Sequence, residues 1–276
     1  GFTNLELSQS PARPGQAVGI RGILTGETAV STRLNSDPFP TFVNGRYLVG
    51  ITGTGAFFGS GTPELMVQPA GQPAWVQPWQ FIDNDQWAYQ QITLTGAAAE
   101  IDQEAIQAER ERLFVLWEQA TAQPQFDAAF RVPIDSYLSI TSAFGARRSY
   151  NGGPYRSYHE GVDYGAYGGT PVLAPAAGTV IVAEFLYVRG GAVIIDHGLG
   201  IYSGFYHMSS VNATVGNVVQ AGQMVGEVGT TGLSTGNHLH WDMLADGVWV
   251  DGQAWLNQGM GCWILSGWGR PCTGAP

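Results

Sequence analysis

The chain has 276 residues, 44% of them hydrophobic and only 12% charged, with 39 glycines and 15 prolines. That is enough for one large domain or two ordinary ones around a real core, and the turn formers favour a β-rich architecture. A net charge of −10, basic residues that are all arginine, and no basic run exclude the electrostatic footprint of a nucleic-acid or anionic-membrane binder.

The chain opens on Gly1-Phe2-Thr3, with no charged-then-apolar leader and no apolar run near the roughly 20 residues that cross a bilayer. The expectation is a protein with no membrane span, cytosolic or exported with its leader removed. Residues 1–97 read as short strands between turns: Val18–Leu24, an Asn44-Gly45 turn, Tyr47–Ile51 and Gln91–Thr95. They carry no cluster of histidines, cysteines or paired carboxylates, and the fold expected is a small immunoglobulin-like β-sandwich.

Residues 98–123 change period. Ile106, Leu113, Leu116, Trp117 and Ala120 recur at helical spacing among Glu, Gln, Ala and Arg, and Pro124 closes the run. A helical connector over 98–125 is expected, with its Leu113/Trp117 face packed on a neighbouring domain.

Strand signals return over 126–256, at Gly178–Ala183, Ala192–Asp196, Ile201–Tyr206 and Gln223–Val225. Short connections between such strands suggest a compact antiparallel sheet. All five histidines of the chain lie here. In Thr235-Gly236-Asn237-His238-Leu239-His240-Trp241-Asp242, His238 and His240 share one face of a strand while Leu239 turns to the core. Alone, such a pair reads slightly better as two polar residues facing solvent. His159 and Asp163, four apart in His159-Glu160-Gly161-Val162-Asp163, add a second imidazole source and a carboxylate. Two imidazoles and one carboxylate form an open zinc set with a fourth position for water.

His207 ends a strand and reads either as a satisfied core histidine or as a group near a developing oxyanion. His197, before Gly198, reads as structural, and Glu160 as facing away from the ligands. The non-haem iron pattern, a close His-x-Asp/Glu pair with a distant His, fits poorly because the close pair is His/His. A cupin-type site would need a third histidine after His240, and none follows.

Residues Ser142 to Trp255 resemble the lysostaphin-type zinc endopeptidases that cut peptidoglycan peptides. The matching stretches, in order, are Ala143-Phe144-Gly145 with Arg147-Arg148, HEGVDYGA (159–166), GTPVLAPAAGTV (169–180), IDHGLG (195–200), FYHMSS (205–210), VGNVVQAGQMVGEVGTTGLSTG (215–236) and HLHWD (238–242). Met208 and Asp242 depart from the leucine and glutamate common in the family. The resemblance implies one zinc ion on His159, Asp163 and His240, with His207 and His238 catalytic. It implies an antiparallel peptidase domain with an active-site groove. Independently, the lack of clustered chemistry in residues 1–97 and the helix after them lead to the expectation that a chain beginning near Phe126 still folds, binds zinc and cleaves.

The function the resemblance implies is hydrolysis of peptidoglycan stem or cross-bridge peptides by a secreted or periplasmic, wall-associated enzyme. A non-catalytic wall-binding or activator protein, or a surface protein with a purely structural metal, is the alternative. The segment 257–276 is expected as a tail, where Cys262 and Cys272 form a short disulfide ring suited to an oxidising compartment or remain free thiols.

Overall fold

Short apolar strands between turns build the N-terminal half of this computed structural model, which describes residues 1–26, 29–84, 87–117 and 121–274. Strands β1 (Phe2–Leu7), β2 (Ala17–Leu24), β3 (Val30–Leu34), β4 (Asp37–Phe39), β5 (Thr41–Asn44), β6 (Tyr47–Gly53), β7 (Glu64–Pro69) and β8 (Trp75–Pro78) form two four-stranded sheets. Their orders are β1-β2-β6-β5 and β4-β3-β7-β8. Val18, Ile20, Leu48, Leu65, Val67 and Trp79 are buried together in a core of their own. The turn signalled by Asn44-Gly45 falls one residue later than its dipeptide. Asn44 pairs with Tyr47, and Gly45, at φ 58°, opens the two-residue loop.

The last strand of this half, β9 (Tyr89–Ile92), joins neither sheet. It pairs in parallel with β11 (Arg147–Tyr150), which also pairs with β12 (Ser157–Tyr158). Helix α1 (Gln103–Trp117) is shorter than the periodicity suggested. A 3-10 turn fills Gly96–Glu100, and Asp102 Oδ1 accepts a hydrogen bond from the Ala105 amide at 2.8 Å, which starts the helix at Gln103. Leu113 and Trp117 are buried, as expected; Ala120 lies outside the described residues.

The second half is built on β10 (Ser139–Ser142), β13 (Gly161–Gly165), β15 (Gly178–Leu186), β16 (Gly190–Gly198), β17 (Ile201–Met208), β19 (Val218–Val219), β21 (His238–Ala245) and β22 (Val248–Val250). They form one antiparallel sheet of order β10-β13-β21-β17-β16-β15-β19, with β22 on β21. A smaller sheet, β14 (Pro171–Leu173), β20 (Met224–Glu227) and β18 (Ser210–Val211), lies beside it. The fold is mainly β and antiparallel. No helix among the described residues is long and apolar enough to cross a membrane.

One core runs through both halves. Val49, Ile51 and Ala56 from the N-terminal half cluster with Leu113 and Trp117 of α1 and with the large sheet. Residues after 256 are no free tail. Helices α2 (Gly252–Asn257) and α3 (Met260–Gly267) bury Trp255, Ile264 and Leu265 in this shared core, and a disulfide from Cys262 of α3 to Cys272 closes the C-terminal segment onto the helix. Arg21 lies over the Trp263 ring at 5.0 Å, and Asn44 Nδ2 donates to the Trp268 carbonyl at 2.9 Å.

Candidate active site

Strand register assembles the site. Ser142, Asp163, His240 and Tyr206 are direct partners across β10, β13, β21 and β17, so their side chains form one row on one face. His238, two residues before His240, shares that face, as expected from the strand period. Glycine makes the room: a Cβ at Gly161, opposite Asp242, would lie 2.7 Å from His240 Nε2. His159 precedes β13 and is held by two backbone bonds to the Phe144–Arg147 turn, His159 N–H to Ala146 O and Gly145 N–H to His159 O, each 2.8 Å.

The structure brings His159, Asp163 and His240 together. His159 Nε2, His240 Nδ1 and Asp163 Oδ1 form a triangle with sides of 2.9, 2.9 and 3.0 Å. His159 Nδ1 lies 3.1 Å from the Ala143 carbonyl oxygen, which can only accept, so Nδ1 carries the proton and Nε2 offers a lone pair. Three donors converging on one point, two nitrogens and a carboxylate oxygen, are the composition of an open metal site.

His207 and His238 stand beside this triangle with their rings 4.9 Å apart. His238 Nδ1–H donates to Gly236 O and His207 Nδ1–H to Thr231 O, both at 2.8 Å. Each therefore keeps Nε2 as an acceptor. His238 Nε2 lies 3.7 Å from Asp163 Oδ1. Strict alternation would turn His207 away from the face that carries Tyr206. The β16–β17 register slips between Phe205 and Met208, and His207 takes a left-handed φ of 63°. This bulge re-aims the ring toward His238 and His240.

Burial sets the protonation. Desolvation lowers His240 to about 4 and His207 to about 3, the latter also through the neighbouring His238 and His240. His159 is lowered by burial as well. Burial pushes the Asp163 carboxyl up, but His159 and His240 outweigh it and hold the group well below its usual range. At neutral pH the cluster is thus two neutral imidazoles facing a carboxylate.

These groups open on a cavity of about 750 Å³ whose walls include Arg148, Arg189, Glu160 and, from α1, Ile106 and Arg110. Glu160, expected to face away from the ligands, pairs with Arg110 at 2.9 Å. Glu109 accepts from the Val188 and Arg189 amides at 2.8 and 3.1 Å, fastening α1 to the β15–β16 connection. His197 is no part of the site. It is buried, its Nδ1–H donates to Ala177 O at 2.9 Å and Ser203 Oγ meets its Nε2 at 2.8 Å. Sequence reasoning assigned no role to Ser142, Gln90 or Arg148. Arg147 and Arg148 are adjacent and chemically alike, so nothing in the sequence distinguished Arg148, which touches Asp163, from Arg147, which lies over the Phe57 and Trp87 rings.

A mainly antiparallel domain carrying two histidines and an aspartate as converging donors is an arrangement that could hold a metal ion. Residues 157–252 match the model described as Peptidase family M23, so this part of the chain is a Peptidase M23 domain of lysostaphin type. It is 39% identical over 111 residues to the DD-carboxypeptidase/endopeptidase Mpg of Neisseria meningitidis serogroup B, covering 40% of this chain and 25% of that protein. It is 33% identical over 117 residues to the peptidoglycan DD-endopeptidase ShyA of Vibrio cholerae, covering 42% of this chain and 27% of that one. The chain thus spans about a quarter of the length of the curated relatives it matches. An M23 peptidase candidate from Pseudomonas aeruginosa, solved as a crystal structure, has the same fold at a TM-score of 0.62 and 24% identity, over 88% of this chain and 93% of that one.

Proposed function

We propose that this protein is a zinc metallo-endopeptidase that hydrolyses peptide bonds in peptidoglycan stems or cross-bridges. The observation that carries the reading is the convergence of His159 Nε2, Asp163 Oδ1 and His240 Nδ1 at 2.9–3.0 Å, with two acceptor imidazoles beside them. His159, Asp163 and His240 would hold one zinc ion. When bound, zinc supplies Lewis acidity that polarises a carbonyl and acidifies water.

The chain's own residues do the rest. His238, with its Nδ1–H tied to Gly236 O, presents Nε2 as a general base for the attacking water. His207, whose ring lies 4.9 Å from that of His238, would be the group that stabilises the oxygen gaining charge. Helix α1 contributes Ile106 and Arg110 to the wall of the cavity that would receive the peptide. Peptidoglycan as substrate draws on what the Neisseria and Vibrio relatives are named for. A secreted or periplasmic, wall-associated location is supported by the Cys262–Cys272 disulfide.

Metal analysis paired with clearing of a peptidoglycan suspension tests the reading. One zinc per chain with clearing is expected. Stoichiometric zinc without clearing would favour a non-catalytic wall-binding or activator role.

A further inference from the structure

We propose that the N-terminal half completes the metal centre. Gln90 of β9, acting through Ser142 and alongside Arg148, would be a positioning residue for His159 and Asp163. The inference rests on the metal-centre reading above.

Asp163 has two carboxylate oxygens with different tasks. Oδ1 faces His159 and His240, while Oδ2 accepts from Arg148 Nη2 at 3.2 Å. That grip fixes the carboxylate plane and keeps Oδ1 aimed at the imidazoles. The same Nη2 lies 3.3 Å from Ser142 Oγ, and Ser142 Oγ lies 2.9 Å from His159 Nδ1. Ser142 has one proton to give, and it goes to Gln90 Oε1 at 2.8 Å. With that proton committed, the serine oxygen can only accept from His159 Nδ1–H and from Arg148. Gln90 thereby selects the His159 tautomer whose Nε2 is a lone pair, in concert with the Ala143 carbonyl.

The backbone explains why Gln90 is in reach. β9 pairs in parallel with β11, and Gln90 is the register partner of Arg148. Ser142 in turn is the register partner of Asp163. Two separate ladders thus bring a residue from the N-terminal half to a metal ligand through a single serine. Partners of this kind typically contribute 10–100-fold to metal affinity.

The test is zinc affinity of the full chain, measured by competition with a chromogenic chelator, for wild type, R148M, R148K, S142A, Q90M and the S142A/Q90M double variant. R148M should bind zinc about 10–100-fold more weakly, and R148K, which keeps one bond to Oδ2, should recover part of that loss. S142A and Q90M should each weaken binding, and the double variant should be no worse than S142A, because both act through one hydroxyl. Wild-type affinity in a folded Q90M, or losses that multiply in the double variant, would overturn the role of Gln90. Should Q90M fail to fold, S142A decides, since it leaves β9 intact: unchanged affinity there would overturn the proposal. A wild type that takes up no zinc would refute the metal-centre reading itself, and this inference with it.

Discussion

At the scale of single residues, the two histidines of His238-Leu239-His240 have the same chemistry and different surroundings. His240 Nδ1 is 2.9 Å from Asp163 Oδ1, whereas His238 Nε2 is 3.7 Å away and its other nitrogen is spent on Gly236 O. His240→Ala is therefore expected to lose most of its zinc together with activity. His238→Ala should keep near-stoichiometric zinc and lose roughly 10²–10⁴-fold in turnover, with His207→Ala behaving likewise. Zinc analysis and kcat on the three variants check this, and the assignment is reversed if His238→Ala is the one that loses metal. His197 makes a separate prediction. Burial lowers it to about 4, below the ordinary 6.5, so between these values the unfolded chain binds a proton that the folded chain does not. The contribution of His197 should be level above pH 6.5 and fall as pH drops toward 4. His197→Gln should flatten that slope by up to about 1.4 kcal/mol per pH unit in urea titrations.

At the scale of elements, much was legible. Apolar runs bounded by turn residues located β2, β6 and the strands around β15–β17, most of which are buried on both faces, and the i/i+2 rule put His238 and His240 on one face, because both signals are local. What was not legible is set by pairing between distant segments. Two strand bulge residues, Tyr206 and His207, look like ordinary alternation until the register slip opposite Ala192 turns His207 into the groove. The parallel β9–β11 pair has no sequence signature, so Gln90 went unnoticed. Helix α1 starts at Gln103, later than the expected 98, because Asp102 caps it. The C-terminal segment looked like a tail since its helix α3 packs on β2 and β6, more than 200 residues away in the chain. The disulfide closes that segment, and in the chain-entropy account a ring of this size contributes about 3 kcal/mol. Cys272→Ser should lower the urea midpoint correspondingly without altering zinc content, and an unchanged midpoint would show that the bridge constrains nothing.

At the scale of the molecule, the two halves are joined by more than a connector. The shared core of Val49, Ile51, Trp117, Trp249 and Leu265, together with the Asp251 amide donating to Gly15 O at 2.7 Å, makes the second half a surface in need of a partner. A chain beginning at Phe126 should therefore be less stable than the whole, with a lower Tm and a tendency to associate. An equal Tm would show that the catalytic half is self-sufficient. The central proposal is that the His159, Asp163 and His240 site carries out metal-dependent hydrolysis of peptidoglycan peptides. Mass spectrometry of muropeptides after digestion tests it most directly. The account predicts new amino and carboxyl termini within stem or cross-bridge peptides, intact glycan, loss of products on chelation and their return with zinc. Products from glycan cleavage, or peptide products that persist with chelator and in His240→Ala, would contradict it.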